Sequence, residues 1–114
     1  MRQVSNLYKA LSDQNRLRIL MMLKDKPMCV CEIVNVLQLA NSTVSKHLSI
    51  LRNVDLIMDE KDGRWVNYRL AQSDESDLID NVMSQLNSLF IGDETINKDR
   101  QAVREADRHQ ICAS

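Results

Sequence analysis

The chain has 114 residues, of which 44% are hydrophobic, so it can form one domain with a modest core but not two independent domains. Two glycines and one proline exclude a turn-rich all-β fold and favour helices. The formal net charge of −1 excludes a general electrostatic attraction to nucleic acid, so any contact with a polyanion must be local.

Hydrophobic runs in this chain are short. The longest unbroken apolar segment covers residues 19–23, which is far too short to cross a bilayer, and the first residues carry no apolar leader. The sequence therefore predicts a cytoplasmic protein with no membrane partner. Because disulfides rarely persist in the cytosol, the cysteines Cys29, Cys31 and Cys112 are interpreted as thiols.

The N-terminal part of the chain predicts two helices. Apolar residues at spacings of three and four between residues 3 and 11 indicate a short amphipathic helix. Ser12 or Asp13 can cap the next helix, whose wide apolar face over residues 17–23 belongs in the core. We expect this helix to end within residues 24–27.

A third, short helix is predicted to begin near Cys29. Glu32 follows three residues later, at the position of the acid in a capping box. Side chains at i and i+2 diverge on a regular helix, so Cys29 and Cys31 can share a ligand only in the irregular geometry of a helix start. The N-terminal end of the helix is expected to lower the pKa of both thiols and to supply thiolates, which soft ions prefer.

The fourth predicted helix, from about residue 42 to residue 54, has two contrasting faces. Val44, Leu48 and Leu51 form a narrow apolar stripe at about 100° per residue. Small hydroxyls and a lysine cover most of the remaining surface. Such residues let a helix approach the major groove and still form hydrogen bonds with it. The candidate DNA-binding residues on this helix are Ser42, Thr43, Ser45, Lys46, His47 and Ser49.

Two short helices joined by a tight turn over residues 39–41 match a helix-turn-helix motif, in which the second helix enters the major groove. His47 lies nearer the apolar stripe than the outer face. A histidine hydrogen-bonded beside the helix is therefore an equal alternative to a histidine that contacts a base.

Two predicted strands follow the fourth helix. Residues 56–60 and 64–70 flank the segment Lys61-Asp62-Gly63, and an Asp-Gly pair between such strands indicates a hairpin. Val66, Tyr68 and Leu70 share one face of the second strand, which we expect to pack on the core. We interpret the hairpin as a wing. Arg64 near its tip is either a contact to a phosphate or the minor groove or a solvated charge.

The last third of the chain predicts a long amphipathic helix over residues 78–90. Its apolar stripe exceeds what so small a core should need, so we expect a homodimer with Leu86 and Phe90 at the interface. Residues 92–114 are polar and of mixed charge, and they either extend as helix or fray. The predicted organisation is a DNA-binding and dimerisation domain over residues 1–91, followed by a C-terminal extension over residues 92–114.

Three of these motifs, in this order, resemble the ArsR/SmtB family of dimeric repressors over roughly residues 5 to 91. The segment ALSDQNRLRIL at residues 10–20 is similar to the opening helices of that family, NSTVSKHLSIL at residues 41–51 to its recognition helix, and GRWVNYRL at residues 63–70 to its wing. The resemblance implies a mainly α winged helix-turn-helix with a two-stranded β-hairpin. It also implies a homodimer, joined through terminal helices, that binds double-stranded operator DNA.

The segment MCVCEI at residues 28–33 resembles the Cys-Val-Cys box with which members of that family bind arsenite, antimonite, cadmium or lead. One type of arsenic sensor has a third cysteine three residues after the second, where this chain has Val34. Cys112 is then the candidate third ligand, and a free tail thiol is the alternative. The other metal site of the family uses paired histidines and acids on the long helix. With only His47 and His109, the chain lacks that zinc or nickel site.

The sequence therefore predicts a transcriptional repressor, without a permanent cofactor, that releases its operator when arsenite or antimonite binds Cys29, Cys31 and Cys112. One alternative is a repressor that responds to cadmium or lead and recruits a fourth ligand such as His109. Another is a redox repressor, in which Cys29 or Cys31 forms a disulfide with Cys112 on oxidation. An arsenate reductase is disfavoured, because neither Cys29 nor Cys31 has an arginine six residues later and no glycine-rich phosphate loop is present.

Overall fold

The computed structural model of the protein describes residues 1–112, and within them the chain is mainly helical with one antiparallel hairpin. Its elements, in chain order, are α1 (Arg2–Leu11), α2 (Gln14–Met22), α3 (Val30–Leu37), α4 (Asn41–Asn53), β1 (Ile57–Asp62), β2 (Trp65–Leu70), α5 (Ile79–Leu89), α6 (Glu94–Glu105) and α7 (Arg108–Ile111). None of the helices in this described part of the chain is long and apolar enough to cross a membrane.

The start of α2 is set by a side-chain cap. Oδ1 of Asp13 accepts hydrogen bonds from the backbone N–H groups of Asn15 and Arg16 at 2.8 Å and 3.1 Å, which confirms the predicted cap. Ile19 and Leu20 on this helix are completely buried. The second helix is therefore a central element of the core, as its wide apolar face predicted.

The helix-turn-helix consists of α3 and α4. α3 ends at Gln38, whose backbone is left-handed with φ 58°, and this conformation stops the helix after eight residues. The next helix begins three residues later. Val44, Leu48 and Leu51 are fully buried, which confirms the predicted apolar stripe of α4.

The hairpin pairs Ile57 with Leu70 at its base and Asp62 with Trp65 at its tip. Only two residues, Gly63 and Arg64, remain between the strands, so the turn is shorter than the predicted Lys61-Asp62-Gly63 segment. Gly63 has φ +60°, a left-handed conformation that glycine adopts without a steric penalty.

The packing face predicted for β2 is only partly correct. Leu70 and Tyr68 pack against the core, but Val66 is 42% exposed. Val66 pairs with Lys61 near the tip of the hairpin, where the strands extend beyond the core. Alternation within a strand predicts which side chains share a face, but not how far along the strand that face is covered.

The packing of α5 contradicts part of the predicted dimer interface. Leu86 is 7% exposed and packs inside the protomer with Val82 and Met83, so its placement at the dimer interface is wrong. Phe90 also packs partly against the core. The exposed large apolar residues at this end of the molecule are Leu89 and Ile91, at 75% and 82% exposure.

The apolar stripe of α5 is used within the protomer because α6 enlarges the core. Its residues Ile96 and Val103 are buried in the same cluster, which is therefore larger than residues 1–91 alone would form. Asp99 is also buried and receives two hydrogen bonds from Arg18 of α2, at 2.8 Å and 2.9 Å. The division of the chain at residue 91 stays a prediction, but the helix beyond it contributes to the same core. Residues 113 and 114 of the predicted extension lie outside the described residues.

Candidate thiol site and nucleic-acid interface

Three sulfur atoms meet at the start of α3. Sγ of Cys29 lies 3.3 Å from Sγ of Cys31 and 4.0 Å from Sγ of Cys112, and Cys31 forms a disulfide with Cys112. The interpretation of all three cysteines as thiols is therefore wrong for Cys31 and Cys112, because the fold brings their Cα atoms within 6.1 Å, and it is correct for Cys29. All three sulfurs lie within 4.8 Å of one another. The fold thus brings a cysteine of the C-terminal segment, 81 residues from Cys31 in sequence, to the Cys-Val-Cys segment of the same protomer.

The two local cysteines meet because the helix begins between them. Cys29 is the N-cap residue with an extended backbone, φ −88° and ψ 168°, whereas Cys31 is in the first helical turn. This change of backbone conformation turns two side chains that would diverge on a regular helix toward one another. The predicted irregular helix start is confirmed.

The hairpin holds the residue before this site in place. Met28 N–H donates to the carbonyl of Tyr68 at 2.9 Å, and Tyr68 N–H donates to the carbonyl of Met28 at 2.8 Å. Met28 is completely buried. The cysteines are therefore attached to β2 on one side and to the helix-turn-helix on the other.

The acid predicted for the capping box is confirmed at Glu32. Its Oε1 accepts a hydrogen bond from the backbone N–H of Cys29 at 3.0 Å. The same carboxylate affects the thiol chemistry. Burial, together with the hydrogen bond to the Glu32 side chain and its negative charge, raises the pKa of the Cys29 thiol. The predicted lowering of the thiol pKa is therefore wrong for Cys29, because burial and a nearby carboxylate outweigh the helix start.

Arg108 is a functional candidate that the sequence did not indicate. Its Nε and Nη2 donate to Oε1 of Glu32 at 3.1 Å and 2.7 Å, and Nη2 also donates to Oδ1 of Asn67 on β2 at 2.6 Å. Arg108 and Glu32 are 76 residues apart, so no local pattern relates them. This guanidinium connects α7 to α3 and to the wing.

The ring of Trp65 on the wing contacts the C-terminal segment. The guanidinium carbons of Arg64 and Arg108 each lie 4.6 Å from the ring centroid of Trp65. His109 is exposed and meets the same ring edge-on at 5.2 Å. Among the described residues, His109 is not part of the group of ligand atoms formed by the three cysteines.

The residues predicted to bind DNA lie mostly on one exposed side of α4. The exposed members are Ser42, Thr43, Ser45, Lys46 and Ser49. His47 is half-buried, and its Nδ1 lies 3.0 Å from Nη1 of Arg16. Arg16 is a second residue that sequence reasoning missed as a partner of this helix. Arg64 is exposed at the turn of the hairpin.

Acidic residues on the wing are paired within the protein. Arg52 Nε donates to Asp59 at 3.0 Å, and Arg69 Nε donates to Glu60 at 2.7 Å. Of the ion pairs formed within residues 1–112, none involves Lys46 or Arg64. The surface of α4 and the wing tip is therefore locally basic, although the chain as a whole is not.

Comparison with characterised sequences identifies the helix-turn-helix segment. A family model described as "Bacterial regulatory protein, arsR family" matches residues 13–58. The arsenical resistance operon repressor of Escherichia coli is 39% identical over 66 residues, and the match spans 57% of this chain and 56% of that protein. The cadmium resistance regulatory protein CadC of Listeria innocua is 38% identical over 66 residues, again covering 57% and 56%. The chain thus spans about half the length of these relatives.

A longer match and two solved structures extend the similarity to the rest of the chain. The arsenic resistance regulator ArsR2 of Pseudomonas putida is 31% identical over 107 residues, 89% of this chain and 93% of that protein. HlyU from Vibrio cholerae is 30% identical with a TM-score of 0.67, covering 79% of this chain and 94% of that chain. Mb0332 from Mycobacterium bovis, described as a homodimeric winged helix-turn-helix DNA-binding domain, is 28% identical with a TM-score of 0.65, covering 76% and 81%. By its helix-turn-helix, its wing and these matches, the chain belongs to the ArsR family of bacterial regulatory proteins.

Proposed function

We propose that the protein is a DNA-binding transcriptional repressor that releases its operator when trivalent arsenic or antimony binds Cys29, Cys31 and Cys112. The observation that carries this proposal is the meeting of three sulfurs within 4.8 Å at the helix that precedes α4. The names of the E. coli and P. putida relatives support the choice of arsenic. Soft ions of this kind prefer sulfur ligands.

The ligand exchange needs only the three cysteines in their reduced form. Arsenous acid has three As–O bonds, and three thiols can replace them with three As–S bonds. Each thiol proton leaves with one hydroxyl, so three waters form and arsenic stays trivalent. No histidine is needed, in agreement with a site made of sulfur alone. The raised pKa of Cys29 is compatible with this step, because the thiol proton is consumed in forming water.

The DNA-binding surface in this proposal is α4 with the wing tip. Ser42, Thr43, Ser45, Lys46 and Ser49 would face the major groove, and Arg64 would reach a phosphate or the minor groove. Their exposure and the absence of ion pairs at Lys46 and Arg64 within residues 1–112 support this placement. The contact of His47 with Arg16 favours a supporting role for His47 beside that surface.

A homodimer would allow two such helices to bind half-sites about 34 to 36 Å apart, one turn of DNA. The description of the M. bovis neighbour as homodimeric supports this assembly. Exposed apolar side chains at both ends of the chain support it as well. Val4 and Tyr8, one turn apart on α1, are 54% and 63% exposed, and Leu89 and Ile91 are even more exposed.

Release of DNA would follow from movement at the start of α3. Drawing three sulfurs around one arsenic changes the position of Cys29 and Cys31 relative to Cys112. Only three residues separate α3 from α4, so a shift of α3 would reorient α4. Coupling free energies between two sites are commonly about 1 to 3 kcal/mol, and complete switching requires more than that range.

Serine variants of Cys29 and Cys31 test this function. We expect Cys29→Ser and Cys31→Ser to bind a duplex selected from a random library as the wild type does, and to lose release by arsenite. Val30→Ser is the matched control, because it adds a hydroxyl at the same helix start and keeps all three thiols. Gel-shift titration with and without arsenite, in a phosphine reductant, is the measurement. Normal release by arsenite in both cysteine variants would refute the proposed sensor.

A second candidate function is a redox-responsive repressor, and the Cys31–Cys112 disulfide favours it. In this case two thiols transfer two electrons and two protons to hydrogen peroxide, which forms the S–S bond and two waters. The test compares operator affinity of the reduced and the peroxide-treated protein without any metal. A change in affinity that is absent in Cys112→Ser would favour this function.

A cadmium or lead sensor, suggested by the name of the L. innocua relative, would be distinguished by titration with each ion.

A further inference from the structure

α7 is a single helical turn whose two ends have different partners. Arg108 at its first position binds Glu32, and Cys112 directly after its last position reaches the other two sulfurs. Residues four apart lie on the same face of a helix. One face of α7 therefore carries both an ionic contact to α3 and a sulfur aimed at the start of α3.

We propose that the ion pair between Arg108 and Glu32 positions Cys112 as the third ligand of the thiol site. This inference rests on the proposed function, since it assigns a role to residues that do not themselves contact the ion. Arg108 is then a positioning residue. Without it, Cys112 is a cysteine on a short terminal segment, and Cys29 with Cys31 form a two-sulfur site.

The contacts of Glu32 explain why its ion pair with Arg108 can hold α7 and Cys112 in place. Glu32 is 2% exposed, and its Oε1 accepts from both Arg108 and the backbone N–H of Cys29. One oxygen thus connects the residue that begins the thiol segment with the residue that begins α7. A buried carboxylate requires such partners, because an unpaired charge in the interior is strongly unfavourable.

The Cys31–Cys112 disulfide holds the end of α7 in the structure, and after its reduction the position of α7 depends on noncovalent contacts. A helix of four residues is not stable by itself, so its position depends on its contacts with the rest of the protein. Arg108 supplies four of these contacts, to Glu32, to Asn67, to the ring of Trp65 and, at 3.8 Å, to Asp62. Three of the four partners belong to α3 and β2, the two elements that also hold Cys29 in place, and Asp62 ends β1. Once the Cys31–Cys112 disulfide is reduced, these contacts of Arg108 keep Cys112 close to Cys29 and Cys31 before any ion arrives.

This arrangement predicts a specific energetic signature. A preorganised third ligand raises the affinity for an ion that needs three sulfurs, because less freedom is lost on binding. It has no effect on a ligand that needs only two. The matched pair of probes is arsenite, which can take three thiolates, and phenylarsine oxide, whose arsenic keeps one carbon bond and takes two.

The experiment measures binding of both probes to the reduced full-length chain and to Arg108→Gln. We expect arsenite affinity to fall by about tenfold or more, to the level of Cys112→Ser, while phenylarsine oxide affinity stays the same. Arg104→Gln is the matched control, because Arg104 is an exposed arginine near the end of α6 that contacts Asp25 only at 4.0 Å. Trp65 is the only tryptophan of the chain, so its fluorescence reports whether Arg108 still contacts the wing.

A double variant distinguishes positioning from general stability. If Arg108 acts through Cys112, the Arg108→Gln/Cys112→Ser protein should bind arsenite as Cys112→Ser does, with no further loss. Additive losses, equal weakening of both probes, or unchanged arsenite affinity in Arg108→Gln would each overturn the inference. If circular dichroism shows that Arg108→Gln is unfolded, Arg108→Lys replaces it with the same expectation, because lysine keeps the charge but loses the paired donors.

The same data separate this inference from the proposed function. If wild-type protein does not bind arsenite, the proposed metalloid sensor fails and the positioning role fails with it. If wild-type protein binds arsenite through Cys29 and Cys31 but Arg108→Gln binds it equally well, only the positioning role fails.

Discussion

The guanidinium of Arg16 contacts His47, with Nη1 lying 3.0 Å from Nδ1 of the imidazole. The same arginine donates through Nε to the carbonyl of Ala10 at 2.7 Å and through Nη2 to that of Lys9 at 3.2 Å. These two carbonyls lie in the last turn of α1. Arg16 therefore joins the end of α1 to the middle of α4, across the start of α2.

Arg16→Ala is expected to lower the free energy of unfolding by about 1 to 3 kcal/mol, because three contacts to polar groups are lost together. His47→Ala removes only one of these contacts and should cost less. Urea unfolding followed by circular dichroism measures both. A larger loss for His47→Ala than for Arg16→Ala would mean that the histidine, not the arginine, joins these helices.

Lys46→Ala and Arg64→Ala should each weaken operator binding and make it less dependent on salt. One lost phosphate contact reduces the slope of log affinity against log salt by about 1. Fluorescence anisotropy at several salt concentrations gives this slope.

Arg52→Ala is the matched control for this experiment. Arg52 is also an exposed arginine near the wing, but Asp55 and Asp59 are its partners within the protein. A salt slope reduced by Arg52→Ala and unchanged by the other two substitutions would contradict the assigned surface.

Leu86→Ala and Leu89→Ala compare two leucines on the same helix. Leu86 is 7% exposed, so its truncation should lower stability by about 2 to 5 kcal/mol. Leu89 is 75% exposed, and its truncation should change stability by less than about 0.5 kcal/mol in the monomer. Thermal or urea unfolding at low protein concentration distinguishes the two. Equal effects would mean that α5 packs differently from the arrangement described above.

Tyr8→Glu and Leu89→Glu should shift a homodimer toward monomer, because each places a charge on an exposed apolar side chain of α1 or α5. Sedimentation velocity over a range of concentrations measures the shift. Val66→Glu provides the control, since Val66 is an exposed apolar residue near the tip of the wing and belongs to neither helix. An intact dimer in both helix variants would exclude these faces from the interface.

Acid should weaken the fold partly through Glu32. Burial opposes ionisation of this carboxyl, but hydrogen bonds from Cys29 N–H and Arg108 outweigh it and lower the pKa of Glu32 below its ordinary value of 4.5. A lowered folded-state pKa gives stability that is fully present above the unfolded pKa. This stability is lost as the pH falls through the folded pKa.

Glu32→Gln should therefore reduce the loss of stability between about pH 5 and pH 3, even though the variant is less stable at neutral pH. Urea unfolding at a series of pH values is the measurement. An identical pH dependence in wild type and variant would show that Glu32 has the same pKa in the folded and unfolded chain.

Local features of the structure were predictable from the sequence. The caps at Asp13 and Glu32 act over two or three residues, and the buried stripe of Val44, Leu48 and Leu51 follows from helical periodicity. The helix-turn-helix, the wing and the family were therefore predicted correctly. The helix-turn-helix and the wing both depend on interactions between residues close in the chain.

Contacts between distant residues were not predictable in this way. Tyr68 holds Met28, Arg16 contacts His47, and Arg108 binds Glu32, across separations of tens of residues. The burial of Leu86 and the exposure of Val66 depend on which other elements cover them, and periodicity does not contain that information.

The sequence by itself determined the type and order of the elements and the position of Cys29 and Cys31 at a helix start, because backbone preferences and side-chain periodicity act locally. The tertiary structure alone decided that Cys112 meets these two sulfurs and that Arg108 lies between the thiol site and the wing. The C-terminal segment reaches this site, 81 residues away from Cys31, by way of α6, which packs in the core, and α7, where Arg108 pairs with Glu32. Such contacts form only when the helices pack together in the folded core, so no short segment of the chain is sufficient to predict them.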